Sequence, residues 1–351
     1  MSPRNVFRPV GPDEARWHDE LSWHPAMADL FWLDGELDNG FQIGVGLLRS
    51  RPLVGGMPAI TMRLLTPEGE VIEVSETFER EAFTPTAFGG TWGDRNRLNG
   101  ELDEHGTPIG FELSVAVEDL ELDVTCRAVC VGAKFVDRSP GFTAHDETTG
   151  SAAGWWPLIP RATSSGTLSV GGTTLDATGA FHIERQVSSF PLAGSAGEKS
   201  AQSIWGWGHF YAGDYTAIWT DSAASEHFGH HHFTPFLLWK GSDLVLSTFA
   251  FASYVERFTI NASSGLALPI VTTLKASDQN TDFFARLVNP RCFEHVELND
   301  KPGSIYCRQL SEVAARMDGP AGTDRFTGRA VHEWGTQAGN FPFTTQNPRE
   351  P

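Results

Sequence analysis

The densest chemistry in this chain lies in Trp205-Gly206-Trp207-Gly208-His209-Phe210-Tyr211, followed by Asp214-Tyr215-Thr216-Ala217-Ile218-Trp219. In an extended strand, side chains two apart share a face, so Trp205, Trp207 and His209 point the same way. Aromatic walls with a few convergent polar groups suit a pocket for a bulky apolar ligand, with Tyr215 and Trp219 as further wall residues. Imidazole titrates near neutrality and both donates and accepts, which makes His209 the leading acid–base or orienting group. The competing reading is a core of packed tryptophans. Glycine at every second position, which a core does not need, favours the pocket.

Glu184, Asp214 and Glu333 are the candidate carboxylates. Burial in an aromatic pocket raises a carboxyl pKa, by up to roughly 3–5 units when complete, and makes it a proton donor near neutral pH. Protonating an alkene requires such a group. Asp214 follows Gly213 and also suits a turn, and Glu333 can pair with Arg329 four residues earlier. The run His227-Phe228-Gly229-His230-His231-His232 places His230 and His232 on one strand face, as two metal ligands would be. Glu226 is near, but no later His or Glu completes a known metal pattern. The expectation is no metal, with His230 and His232 lining the same cavity as His209. A metal-dependent β-barrel enzyme built on this cluster is the third reading, after an enzyme without metal and a carrier. No Gly-Xaa-Gly-Xaa-Xaa-Gly opens a helix, and neither a phosphate loop nor a Gly-Xaa-Ser-Xaa-Gly elbow is present. No cofactor is therefore expected.

The elements that must position these residues read as strands. Gly 36, Pro 21 and Trp 11 are raised among 351 residues, charged residues make up only 20%, and long helix-forming runs are missing. Phe41, Ile43, Val45 and Leu47 alternate with a glycine-lined second face. Phe111 to Val117 alternate again, and Leu120, Leu122 and Val124 continue after a shift at Asp119 that marks a bulge or turn. Short helices are expected at Asp13–Leu21 and Ser311–Met317. The segment Asp137–Gly166 breaks the alternation and has linker composition, although Trp155-Trp156 suggests that it packs on something. This places a boundary near Ser164, between domains 1–164 and 165–351. The four cysteines have neither disulfide nor zinc spacing and read as small apolar residues. The formal charge of -18 argues against nucleic acid and anionic membrane surfaces as partners. No apolar run is long enough for a membrane helix, and the N-terminus lacks a signal core, so a cytoplasmic protein is expected.

Several segments, in order, resemble the carotenoid 1,2-hydratase (hydroxyneurosporene synthase) and AttH-like superfamily, which also resembles kievitone hydratase and fungal Diels–Alder cyclases. Asp29-Leu30-Phe31-Trp32-Leu33-Asp34-Gly35 with Asp38-Asn39-Gly40-Phe41 is similar to the family's opening aromatic strand and hairpin. Asp119-Leu120-Glu121-Leu122-Asp123-Val124 is similar to its leucine strand. Ser165-Gly166-Thr167-Leu168-Ser169-Val170-Gly171-Gly172 and Gly179-Ala180-Phe181-His182-Ile183-Glu184-Arg185 stand where the family has a glycine-rich element ending in Tyr-His-Asp-His-Asn-Trp-Gly. Gly328-Arg329-Ala330-Val331-His332-Glu333-Trp334-Gly335 is similar to its closing strand. The family's Tyr-His-Asp-His reads Phe181-His182-Ile183-Glu184 here, so Glu184 would replace the aspartate from one residue away, on the opposite strand face.

The resemblance implies an all-β protein of two lipocalin-like domains with an aromatic cavity at or near their interface. It adds His182 to the catalytic candidates, and Trp32, Trp92, Asn96 and Trp334 to the substrate-binding ones. Asn96, in Gly93-Asp94-Arg95-Asn96-Arg97, stands on a strand that carries a polar residue inward in the family, though a hairpin loop accounts for it equally well. The implied function is cofactor-free hydration, dehydration, isomerisation or cyclisation of an apolar terpenoid, polyketide or aromatic substrate. A lipophile carrier without chemistry is the alternative from another class. The partner is a small hydrophobic molecule, and a homodimer is compatible with this reading.

Overall fold

The computed structural model describes residues 7–19, 27–50, 56–135, 144–146, 151–189, 202–224, 232–261, 265, 267–297 and 305–336. His227, His230 and His231 lie outside them. Strands dominate, as the period-two patterning predicts. The first part of the chain gives β1 (Phe7–Pro9), β2 (Ala28–Leu37), β3 (Gln42–Ser50), β4 (Ala59–Leu65), β5 (Val71–Thr77), β6 (Phe83–Thr86), β7 (Gly89–Trp92), β8 (Asn96–Leu102) and β9 (Pro108–Val117). It continues with β10 (Leu120–Cys130), β11 (Ala133–Phe135), β12 (Ala144–Asp146), β13 (Ser151–Val170), β14 (Thr173–Asp176) and β15 (Gly179–Ser188). The remainder holds β16 (Gln202–Ala212), β17 (Tyr215–Ala224), β18 (His232–Phe233), β19 (Phe236–Lys240), β20 (Asp243–Thr248) and β21 (Phe251–Ile260). It closes with β22 (Ala267–Ser277), β23 (Asp282–Glu297), β24 (Ile305–Gly319) and β25 (Gly322–Thr336).

Two compact units result, Met1–Pro191 with Trp239–Val245, and Leu192–Leu238 with Leu246–Pro351. Among the described residues the first is built on a sheet in the order β5-β4-β3-β2-β15-β13-β10-β9-β8-β7-β6. The second is built on the order β20-β19-β17-β16-β25-β24-β23-β22-β21. Ser164 falls inside β13, and the first sheet continues through β15.

Three local expectations are corrected. Ser311–Met317 is strand, because Ser311 to Met317 of β24 pair residue by residue with β25 on one side and, from Glu312 on, with β23 on the other. Long-range ladders outweigh a weak local helix preference there. The first helix is only Pro12–Ala15 among the described residues, opened by Pro at its first position. Residues 151–166 are not a break but most of β13, whose alternation is hidden by register shifts between Pro157 and Ile159 and between Ile159 and Ala162. The shift at Asp119 is a hairpin turn, with Leu120 opposite Val117 and Glu118 at φ 52.

One sheet face in the first unit carries the core. Phe31, Leu33, Ile43, Val45, Leu47, Ile60, Met62, Leu64, Phe181, Ile183, Trp156 and Leu158 all belong to one buried cluster. Each such side chain contributes about 1.5–3 kcal/mol through burial. All four cysteines are free; Cys126, Cys130 and Cys307 are buried and Cys292 is half-buried. No helix among the described residues is long and apolar enough to cross a membrane.

Gly208 of the Trp-Gly-Trp-Gly stretch serves packing rather than an open pocket wall. A Cβ on Gly208 would stand 2.4 Å from Trp219 Cζ2 and 2.8 Å from His332 Cβ, so only glycine lets these pack against β16.

Candidate functional site

The other face of the first sheet carries polar groups that the core does not use. Alternation puts Trp32 and Asp34 of β2 opposite Gly46 and Gly44 of β3, and opposite Glu184 and His182 of β15. Pro157 and Trp155 of β13 extend the row beyond β15. With no side chain on Gly44 and Gly46, the Trp32 indole lies over both; a Cβ at either would approach it to 3.1 Å.

Glu184 is the hub. It is fully buried, as is His182. Its Oε2 accepts from Trp155 Nε1 at 2.7 Å and shares a hydrogen bond with His182 Nε2 at 3.0 Å. Its Oε1 accepts from Gln186 Nε2 at 2.5 Å. Beside it, Trp32 Nε1 donates to Asp34 Oδ2 at 2.9 Å. A buried carboxyl held by indole, imidazole and amide is fixed in orientation and can give up or take a proton through the imidazole. Glu184 shares its face with His182, and Ile183 between them lies in the core, so Glu184 stands on the face opposite Ile183, as expected.

The second unit has its own aromatic row. Trp205, Trp207, His209 and Tyr211 stand on one face of β16 and are all buried. Trp207 and His209 meet edge to face at 5.6 Å, and His209 and Tyr211 lie tilted at 5.2 Å. Across the ladder, Trp207 faces Glu333 of β25, which faces Arg308 of β24. Glu333 Oε1 accepts from Tyr306 Oη at 2.7 Å and is paired with the Arg308 guanidinium across the ladder. That guanidinium lies 5.1 Å from the Trp207 ring, and Tyr306 stacks on Trp205 at 5.9 Å. Burial and the Glu333 carboxylate hold the Tyr306 phenol well above its usual value, so it stays an O–H donor. Both donors bind the one oxygen, Oε1, of Glu333.

The other candidates fall elsewhere. Asp214 is exposed in the Gly213-Asp214 turn between β16 and β17. Trp219 is buried in the second core against Phe210, and Tyr215 stacks on Phe326 at 4.0 Å. Trp92 is buried in the first core, with Nε1 donating to Leu48 O at 2.8 Å. Asn96 begins β8 and its Oδ1 accepts from Ala116 N at 2.7 Å, bridging strands rather than facing a ligand. Trp334 meets Phe258 edge to face, on the sheet face opposite Glu333. His232 is exposed on β18. The sequence reading did not single out Asp34, Gln186, Arg308 or Tyr306, because their roles exist only across strands.

On the core-side face of the second sheet, Ser311 Oγ and His332 Nε2 are 2.8 Å apart. Burial, with Arg308 adding to it, lowers the His332 pKa from 6.5 to about 4. Above the unfolded value both states are neutral. As pH falls from 6.5 toward 4, the unfolded chain takes up a proton that folded His332 refuses, so stability declines. The loss approaches about 3 kcal/mol below the folded value. Urea melts across this range should show that slope, and His332→Gln should flatten it. An unchanged slope in the variant would assign the acid sensitivity to other groups.

No family model matches the chain, and no curated protein matches it in sequence. Among solved structures it is similar to CghA, at TM-score 0.62 and 11% identity over 96% of this chain and 95% of that one. It is similar to kievitone hydratase from Nectria haematococca, at TM-score 0.57 and 14% identity over 96% and 98%. An AttH protein from Nitrosomonas europaea gives TM-score 0.57 and 13% identity over 88% and 92%. The resemblance read from ordered motifs is thus matched in three dimensions: the chain has the all-β, lipocalin-like fold of the AttH, CghA and kievitone hydratase structures.

Proposed function

We propose that this protein is a cofactor-free enzyme of hydratase or cyclase type that acts on an apolar terpenoid, polyketide or aromatic substrate by acid–base chemistry at Glu184 and His182. The observation that carries the reading is the fully buried His182–Glu184 pair, held by Trp155 and Gln186 on the sheet face away from the core. A lipophile carrier has no use for a buried carboxyl oriented in this way. The kievitone hydratase name and the CghA structure with Sch210972 support small-molecule chemistry on this fold.

In a hydration, the protonated Glu184 carboxyl gives its proton to one alkene carbon, and the other carbon becomes cationic. Water adds there through oxygen and loses a proton to His182. The imidazole returns that proton to Glu184 across their 3.0 Å contact, which resets the site. In a cyclisation the same groups polarise the substrate, and apolar walls hold it in a reactive fold.

Incubating prenylated and polyene compounds with the enzyme in deuterated water tests the reading. A hydrated product should carry one deuterium on carbon. Binding should quench tryptophan fluorescence, and Trp32→Ala, on the Glu184 face, should weaken it by about 1–3 kcal/mol through lost apolar burial. Neither product nor quenching across the panel would overturn the proposal.

A further inference from the structure

We infer that Gln42 recognises a carboxamide or lactam group on the substrate, an inference that rests on the acid–base reading of the Glu184 face. Gln42 opens β3 and lies opposite Glu36 of β2 and Leu65 of β4. Alternation places it on the same face as Gly44, Gly46, Asp34, Trp32, His182 and Glu184. It is only 3% exposed, yet neither its Nε2 nor its Oε1 has a hydrogen-bond partner among the described residues.

Its polar neighbours on that face each hold at least one hydrogen bond. Asp34 accepts from Trp32, Arg63 Nη2 donates to Glu73, and Glu184 binds Trp155, Gln186 and His182. A buried primary amide with both its donor and its acceptor unmet costs stability, and such groups are rare in native structures. An amide edge is met in full by another amide edge, which returns one donor and one acceptor in the same plane. An ester or ketone supplies no donor. A carboxylic acid is ionised at neutral pH and supplies none either. An alkyl chain supplies neither.

Geometry sets where the reacting carbon lies. Gln42 is two strands across and two residues along from His182, a separation of about 12 Å. The substrate is therefore an extended apolar molecule with an amide at one end and its reacting carbon about that far along.

Titration with decanamide, methyl decanoate and decane, followed by tryptophan quenching, tests this. The wild-type protein should bind decanamide about tenfold or more tightly than methyl decanoate. Gln42→Leu and the near-isosteric Gln42→Met should bind the two alike, and using both guards against one variant misfolding. Glu184→Gln should keep the preference. Equal binding by the wild type, no binding of any probe, or a preference that survives in both Gln42 variants would overturn the inference. Unchanged turnover in Glu184→Gln, with the head-group preference intact, would count against the acid–base reading alone.

Discussion

Glu184→Gln is expected to lower turnover by about 10²- to 10⁴-fold while substrate binding stays close to wild type. The substitution keeps shape and removes the transferable proton. An amide oxygen in place of Oε2 can still accept from Trp155 and face His182. The amide nitrogen then meets Gln186, whose own amide can turn over to present its oxygen. Glu184→Asp, which retains the acid one methylene back, should recover part of the rate. A merely structural role for Glu184 predicts a lowered melting temperature and raised KM instead of a kcat loss. Turnover within a few-fold of wild type in a well-folded Glu184→Gln protein would move the chemistry elsewhere, with His209 the next candidate.

Asp29→Ala should destabilise the protein by about 3–5 kcal/mol, the cost of leaving a buried charge without its partner. Arg185 follows Glu184 on β15 and points to the core side, fully buried. It pairs with Asp29 and donates to the carbonyls of Leu30 at 2.7 Å, Gln186 at 2.9 Å and Arg16 at 3.2 Å. Its guanidinium lies over the rings of Trp17 at 4.4 Å and Phe31 at 4.6 Å. Burial pushes the Asp29 carboxyl up and the Arg185 guanidinium down, and their pairing opposes both shifts. Urea unfolding should show a lower midpoint with an unchanged slope. The double variant Asp29→Leu/Arg185→Met should recover much of the loss, because two apolar groups need no pairing. A loss under about 1 kcal/mol for Asp29→Ala would mean that Arg49, 3.6 Å from Asp29, and the backbone carbonyls carry the anchor.

Local chemistry alone determined the strands whose alternation is regular. Period-two alternation at Phe41–Leu47 and Phe111–Val124 needs no partner to be legible, since side chains in any extended segment alternate. The same period put Trp205, Trp207 and His209 on one face of β16 before any fold was known. Alternation does not say which face becomes core. Gly206 and Gly208 suggested an open pocket wall, yet at Gly208 the space is taken by Trp219 and His332. Ser311–Met317 was ambiguous for the same reason: a seven-residue segment carries too little pattern to choose, and two neighbouring ladders choose for it.

The site shows the same division. His182 and Glu184 are two apart in sequence, and their shared face follows from that spacing. Trp155, which donates to Glu184, is 29 residues away, and only the β13–β15 register brings it there. Tyr306 and Arg308 reach Glu333 across 27 and 25 residues, through the β24–β25 register. Gln42 has no sequence signature at all, because a glutamine becomes a recognition group only when tertiary structure buries it and leaves its amide unmatched. Residue type and period set which groups can share a face; strand register and burial decide which of them meet and which are left in need of a ligand.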